Sequence, residues 1–368
     1  MSETANLAEL ASKVSTELFS TFLWETRGPR DEDWPCEEPE EHSKLRKSKS
    51  NAVQSGALAT AAADLAVAEE YVAGAGEKAD NDVATQHRVT HPTDIVFYYD
   101  EPYSNHRTYL NCDLKSYAAS TIKKSEVKKA IKSLARALTC LEKSATWRDR
   151  YVLTDNNALF AGLLFVYNHN GEYNSRFDEI LAEINLSSMD IPRGSKIIVL
   201  GPRDISWLDN VSDEILRLKG KDLIGPRDTW KYFYPPLVLS KNVQPSARAA
   251  IVEMLTGPWI VLKHRMNSTS KDAILVFYRG PGKLLEEFSL LIDYLMFHGL
   301  VDDGVEISIR AFMPVKEARA LFERAVADYI VRFEGGEELS ALLKSIRYES
   351  MTFVRRQYST VEIGMTRG

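Results

Sequence analysis

The runs DIVFYYD at residues 94–100 and RTYLNCDLK at 107–115 decide how this chain is read. Both are rich in β-branched and aromatic residues and alternate with period two. Glu101, Pro102, Tyr103, Ser104, Asn105 and His106 separate them, which predicts a β-hairpin. A symmetric loop pairs Asp100 with Arg107 and therefore sets Asp94 opposite Asp113. Lys115, two residues on, projects from the same face. Ile95, Phe97, Leu110, Cys112 and Leu114 make the other face wholly apolar. Like charges set directly opposite each other destabilise a sheet, and a divalent cation cancels that repulsion. Two carboxylates and a backbone carbonyl can hold Mg²⁺, with water and phosphate oxygens completing its octahedron. The competing reading is an ordinary solvated Asp/Asp/Lys cluster.

Upstream, Leu7, Leu10, Ala11, Val14, Leu18, Phe22 and Leu23 repeat at helical spacing and predict an amphipathic helix closed by Gly28-Pro29. Residues 29–88 read as an insertion outside the core. They comprise an acidic block from Asp31 to Glu41, the bases Lys44 to Lys49, an Ala-rich stretch at 52–75 and a connector at 74–85. Downstream, Val127, Ile131, Leu134, Leu138 and Leu141 form the seam of a helix. A strand over 159–167, a helix over 176–184, a strand over 196–202 and a helix over 205–218 follow. YPPLVL at 234–239 reads as a short edge strand. A boundary near 240–248 then precedes strands at 259–263, 273–278 and 305–312, with helices at 284–297 and 314–333. The expected organisation is a domain over 1–245 and an accessory α+β domain over 246–368, with a ferredoxin-like arrangement as one form for the latter.

Pro92-Thr93-Asp94 followed by Asp113-Leu114-Lys115 resembles the PD-(D/E)xK nuclease superfamily, and the order of elements over roughly 7–240 agrees with it. The resemblance implies a restriction-endonuclease-like α/β fold, a mixed sheet flanked by helices. It also implies a Mg²⁺-dependent endonuclease, with Mn²⁺ able to substitute. Asp94 and Asp113 would be metal ligands, Lys115 the catalytic lysine, and Glu17 a further catalytic acid on the first helix, with Glu25 its rival. DNA is the implied substrate, RNA remaining open, and restriction or phage defence the implied setting. A homodimer or a separate regulatory or NTPase subunit is the implied kind of partner. Two departures are tolerable variants: Thr93 intervenes between Pro92 and Asp94, and the second acid is Asp. The third, the long separation of helix from hairpin, leaves the register of Glu17 open. The alternative is a non-cleaving nucleic-acid-binding or protein-interaction module on the same fold.

Charge sharpens this picture. The 368 residues carry 46 Lys and Arg against 52 Asp and Glu, a net charge of -6 that looks wrong for a nucleic-acid binder. Yet the block at 31–41 holds seven acids and no base, and without it the remainder is near +1. The helix over 121–143 is locally basic, and Lys123, Lys124, Lys128 and Lys132 are its candidate phosphate contacts. Ser116, Tyr117, Ser120 and Thr121 are candidate phosphate donors, Ser120 and Thr121 being equally N-cap candidates. Trp230, Tyr232, Phe233 and Tyr234 suit either base stacking or packing at the domain junction. Cys36, Cys112 and Cys140 lack the spacing of a disulfide framework or of CxxC metal sites, and the seven histidines are dispersed. No apolar run approaches 18 residues and no leader pattern opens the chain, so a soluble, cytoplasmic protein without membrane contact is expected.

Overall fold

The structure, a computed structural model, describes residue 12 and residues 14–42, 89–152, 155–189, 191–236, 243–266 and 271–354. The Ala-rich stretch and the connector expected at 52–85 lie outside these residues. The first sheet is built on the hairpin. β4 (Ile95–Asp100) and β5 (Arg107–Tyr117) pair antiparallel, with Asp100 opposite Arg107 and Ile95 opposite Cys112. This is the register that the symmetric loop requires, and an Arg107–Asp100 ion pair at 2.8 Å closes it. β1 (Glu25–Arg27) pairs antiparallel with β4. On the other side β6 (Ala158–Asn168) and β7 (Lys196–Leu200) run parallel to β5, giving the order β1-β4-β5-β6-β7. The fold class is the expected mixed α/β sheet flanked by helices.

Helices cover both faces. The helix over residues 14–21 (α1) buries Val14, Leu18 and Phe19 against Ile95, Phe97, Cys112 and Leu114. Ile205, Leu208, Val211 and Ile215 of α6 (Pro202–Gly220) complete this cluster. On the opposite face lie α3 (Lys124–Leu141) and α4 (Ala145–Tyr151). All five residues of the predicted α3 seam are buried, among them Ile131 and Leu134 against Leu164 and Val166. Close approach of α3 to β6 needs Gly162, where a Cβ would lie 2.8 Å from the Leu134 side chain. The hairpin face carrying the acids is thus not an open surface. Val96 and Tyr109 on that face are fully buried with Trp147 and Tyr151, as a sheet with parallel strands requires.

Residues 29–42 also depart from expectation, for although most are exposed, Trp34, Cys36 and His42 are buried in the core. β2 (Glu32–Pro35) pairs with β3 (Thr90–Thr93), and Trp34 is fully buried. A helical turn at 39–42 (α2) follows. Glu32 and Glu38 of the acidic block pair with Arg150 and Lys143, so part of that charge is neutralised locally.

The second sheet has the order β12-β11-β10-β9-β8. β9 (Trp259–Arg265) and β10 (Asp272–Tyr278) are antiparallel, while β10, β11 (Glu306–Ala311) and β12 (Arg347–Ser350) are parallel. α8 (Leu285–Phe297) links β10 to β11, and α9 (Ala318–Arg332) and α10 (Glu337–Ser345) link β11 to β12. Parallel neighbours joined through helices replace the ferredoxin-like arrangement. Of the expected strand YPPLVL, residues 234–236 carry no strand and 237–239 lie outside the described residues; just before it β8 (Lys231–Tyr232) pairs with β9 of the second sheet. Prolines 235 and 236 cannot donate to a ladder, which confines β8 to the residues before them. Trp230, Tyr232 and Tyr234 are buried in a cluster that also holds Phe22, Trp207, Ile260, Phe277 and Phe312, the packing use foreseen for these aromatics. One apolar core therefore runs between the two sheets. Burying a large apolar side chain contributes about 1.5–3 kcal/mol, whereas a part-exposed ion pair such as Arg279–Asp204 contributes at most about 1 kcal/mol. The apolar cluster holds the sheets together.

Candidate active site

β3 ends at Thr93, the chain bends at Asp94, and β4 begins at Ile95. The bend places Asp94 at the open end of the hairpin, where its amide donates to the Cys112 carbonyl at 3.3 Å. Its carboxylate reaches across the ladder and accepts from the Leu114 amide at 2.6 Å. Asp94 is thereby fixed beside the backbone that joins Asp113 to Lys115. Lys115 Nζ forms an ion pair with Asp113 Oδ1. The Asp113 side chain is 13% exposed and that of Lys115 33%, so the amine faces solvent more than the acid it holds. The structure brings Asp94, Asp113 and Lys115 together.

Electrostatics mark the cluster. Burial pushes the Asp94 carboxyl up to about 6, and the charge of Asp113 adds to the rise; the Leu114 amide and Lys115 oppose it. Burial alone would lower the Lys115 ammonium. Asp113, through charge and hydrogen bond, and Asp94 outweigh it and hold the pKa above the ordinary lysine value. At neutral pH Lys115 is thus a cation. A raised carboxyl beside a second carboxylate and a cation is the pattern of a site built to accept positive charge.

Thr93 accounts for the residue inserted between Pro92 and Asp94. Its hydroxyl is fully buried, accepts from Trp34 Nε1 at 3.0 Å and donates to Asn111 Oδ1 at 2.7 Å. The inserted residue anchors the strand that delivers the first acid.

A third carboxylate went unrecognised in the sequence. The Asp31 amide donates to the Asp94 carbonyl at 2.9 Å, and its charge contributes to the rise at Asp94. Asp31 holds a left-handed φ of 53°. It stands at the start of the acidic block, and only the pairing of β2 with β3, distant in the chain, brings it to the site. The single local signal was the Gly28-Pro29 turn just before it.

Glu17 is placed differently from expectation. It lies exposed on α1, and among the described residues no hydrogen bond or ion pair joins its carboxylate to Asp94, Asp113 or Lys115. The buried side of α1 packs on the apolar face of the hairpin, which turns Glu17 away from it. Glu25, its rival, is in β1 and accepts from the Tyr98 hydroxyl, well along β4 from Asp94.

Beyond the triad, Tyr117 is half-buried, and its hydroxyl is shifted up by burial, with Lys115 and Asp113 among the charges acting on it. Ser120 and Thr121 lie in a 3-10 turn and are exposed. The N-cap of α3 is Lys123, so neither residue serves as the cap. Lys123, Lys124 and Lys128 are exposed and Lys132 is half-buried. Lys124 pairs with Glu183 at 3.1 Å. Among the described residues no ion pair joins Lys123, Lys128 or Lys132 to an acid.

A mixed sheet in which a hairpin feeds parallel strands, with two acids and a lysine at the end of that hairpin, defines the PD-(D/E)xK class of nuclease. The chain belongs to that class: the family model described as the GAPS4 protein PD-(D/E)XK nuclease domain matches residues 1–204, more than half of its length. Comparison with curated proteins gives no match, and comparison with solved structures gives none either. Nucleases of this class generally use divalent metals and act on nucleic acid. Among the described residues no helix is long and apolar enough to cross a membrane.

Proposed function

We propose that the protein is a Mg²⁺-dependent endonuclease acting on DNA, with Asp94, Asp113 and Lys115 as its catalytic residues. The observation that carries the reading is the Asp94 carboxylate held on the Leu114 amide, which gathers two acids and one ammonium at the open end of the hairpin. The two acids fit a divalent cation, since burial and mutual repulsion already strain the ionised pair. Mg²⁺, when bound, supplies a Lewis acid for the phosphoryl oxygen and lowers the pKa of water. Asp94 and Asp113 provide the charge that selects a hard cation. Lys115, protonated, orients the attacking water and neutralises charge developing on phosphorus. Tyr117, Ser116 and the exposed hydroxyls of Ser120 and Thr121 lie beyond it on the chain, where they can donate to flanking phosphates. Lys123, Lys124, Lys128 and Lys132 extend this surface and supply affinity independent of sequence. A role in restriction or phage defence and a cytoplasmic setting are part of this proposal, as are assembly as a homodimer or with a regulatory or NTPase subunit.

The test is incubation of the full-length protein with supercoiled plasmid, linear DNA and RNA, each with Mg²⁺, Mn²⁺ or EDTA. Nicking or linearisation of the plasmid with Mg²⁺, absent with EDTA, supports the reading. Salt-sensitive binding with no cleavage under any metal would favour a non-cleaving module instead.

A further inference from the structure

We propose that Cys36, His42, His91 and Cys140 form a structural zinc site, distinct from the acidic site, that ties β3 to the end of α3. The four residues come from four places: the loop after β2, α2, β3 and the last turn of α3. All four are buried, and their ligand atoms lie within 4.8 Å of one another. Cys36 Sγ is 3.7 Å from Cys140 Sγ, and His42 Nδ1 is 3.0 Å from the former and 3.7 Å from the latter. Zinc bonds of about 2.3 Å to sulfur and about 2.0–2.1 Å to nitrogen imply S···S and S···N edges of roughly 3.5–3.8 Å in a tetrahedron. The two edges that Cys140 makes already have that spacing, and the third, between Cys36 and His42, is shorter by about half an ångström. A disulfide would need sulfurs at about 2.05 Å.

A second observation is independent of this spacing. His91 is 6% exposed, and its Nε2 is buried without a hydrogen-bond partner. An unpaired polar atom in the core is destabilising unless something binds it. The His91 ring rests on Trp34 and meets the His42 ring edge to face at 5.1 Å, so its freedom to find another partner is small. Two thiolates and two neutral imidazoles form a soft S₂N₂ set, which selects Zn²⁺ over hard cations such as Mg²⁺, and they neutralise its charge within the core. No position is left open, which makes the site structural.

The location gives the site its purpose. His91 stands three residues before Asp94, with the Thr93 anchor between them. Cys140 ends the helix that carries the basic surface. A metal binding these two elements would fix the strand leading to the first catalytic acid against the helix proposed to hold substrate. The proposal does not depend on cleavage, and its readout is metal content.

The test uses full-length protein purified without chelator and without a histidine tag. Elemental analysis should find zinc near one per chain in the wild type and in the double variant Asp94→Asn/Asp113→Asn. The double variant Cys36→Ser/Cys140→Ser should lose it. Cobalt-loaded wild-type protein should display thiolate-to-metal charge transfer and the intense visible bands of four-coordinate Co²⁺, a readout that needs no variant to fold. Wild-type protein that holds no zinc and gives no such spectrum would overturn the proposal. So would zinc that departs with the acidic pair, zinc retained by the cysteine variant, or a Cys36–Cys140 disulfide found by mass spectrometry.

Discussion

The Asp94 carboxylate accepts a hydrogen bond from the Leu114 amide at 2.6 Å, so the first acid is fastened to the residue that separates Asp113 from Lys115. The donor belongs to the backbone, so every residue at position 114 except proline preserves it. It offsets part of the cost of keeping Asp94 ionised next to Asp113, and Lys115 adds a smaller share. The triad is therefore preorganised before any cation arrives.

Asp113→Ala and Lys115→Ala should each lower Mg²⁺-dependent plasmid cleavage by on the order of 10²-fold or more. Both side chains lie at the open end of the hairpin, so circular dichroism and melting behaviour should stay close to wild type. Cleavage at undiminished rate by both variants would remove the assignment.

The pH dependence of the metal-free protein follows from the raised Asp94. Folded Asp94 titrates at about 6, above its unfolded value near 3.9, so the folded state binds the extra proton between those values. Stability conferred by that proton is present at low pH and is lost as pH rises through about 6, on the order of 3 kcal/mol in all. Asp94→Asn keeps an acceptor for the Leu114 amide and abolishes the titration. In urea unfolding the variant should exceed wild type at pH 7.5, and the gap should narrow toward pH 5. Parallel curves for the two proteins would contradict the burial and charge assigned to Asp94. For the same reason the apparent affinity of the wild type for Mg²⁺ should fall about tenfold per pH unit below 6.

A triple variant, Lys123→Ala/Lys128→Ala/Lys132→Ala, tests the basic helix. If these residues meet phosphates, binding should weaken evenly across sequences, and the slope of log K against log salt should decrease by about three. Filter binding or fluorescence anisotropy at several salt concentrations would measure both. An unchanged slope would mean that the lysines only solvate α3.

Glu214 links the two sheets, and its removal should be felt by the whole molecule. Its side chain is 1% exposed and takes Arg217 in two hydrogen bonds on α6. Arg310 of β11, 7% exposed, lies 3.6 Å from it and also pairs with Glu349. Glu214→Ala leaves buried guanidinium without part of its counter-charge, a change that costs about 3 kcal/mol. A single cooperative transition shifted to lower denaturant is expected; separate melting of the two sheets would refute the coupling.

The hairpin was legible because everything that fixes it is local. A loop of six residues and strict alternation set the register through Asp100 and Arg107, and with it the meeting of Asp94, Asp113 and Lys115. The helices α3, α6, α8 and α9 were legible for the same reason, each carrying its own apolar stripe. What escaped depended on distant pairing. Trp34 sits among seven acids, and nothing nearby tells that it is buried beneath α4; β2 exists only because Thr90–Thr93 lies alongside it. Asp31 reached the site by that same pairing. Cys36, His42, His91 and Cys140 follow no ligand spacing, since three separate elements and a turn deliver them. Glu17 stayed open because helical periodicity tells which side of α1 is buried but not which part of the sheet that side meets.

The family likeness ends at residue 204, three residues into α6, whereas the apolar core of the nuclease sheet continues through Trp207, Leu208, Val211 and Ile215 to Phe312 and Met351. Phe312 stacks edge-on against Trp207, with ring centroids 5.3 Å apart. A ribosome that has made Asp94, Asp113 and Lys115 has therefore not yet made the far wall of the core on which those residues rest. The acids and the lysine leave the exit tunnel early and wait for more than a hundred residues of chain before the sheet beneath them is sealed. The second sheet is thus the last-made part of a core whose acid-bearing strands are made first.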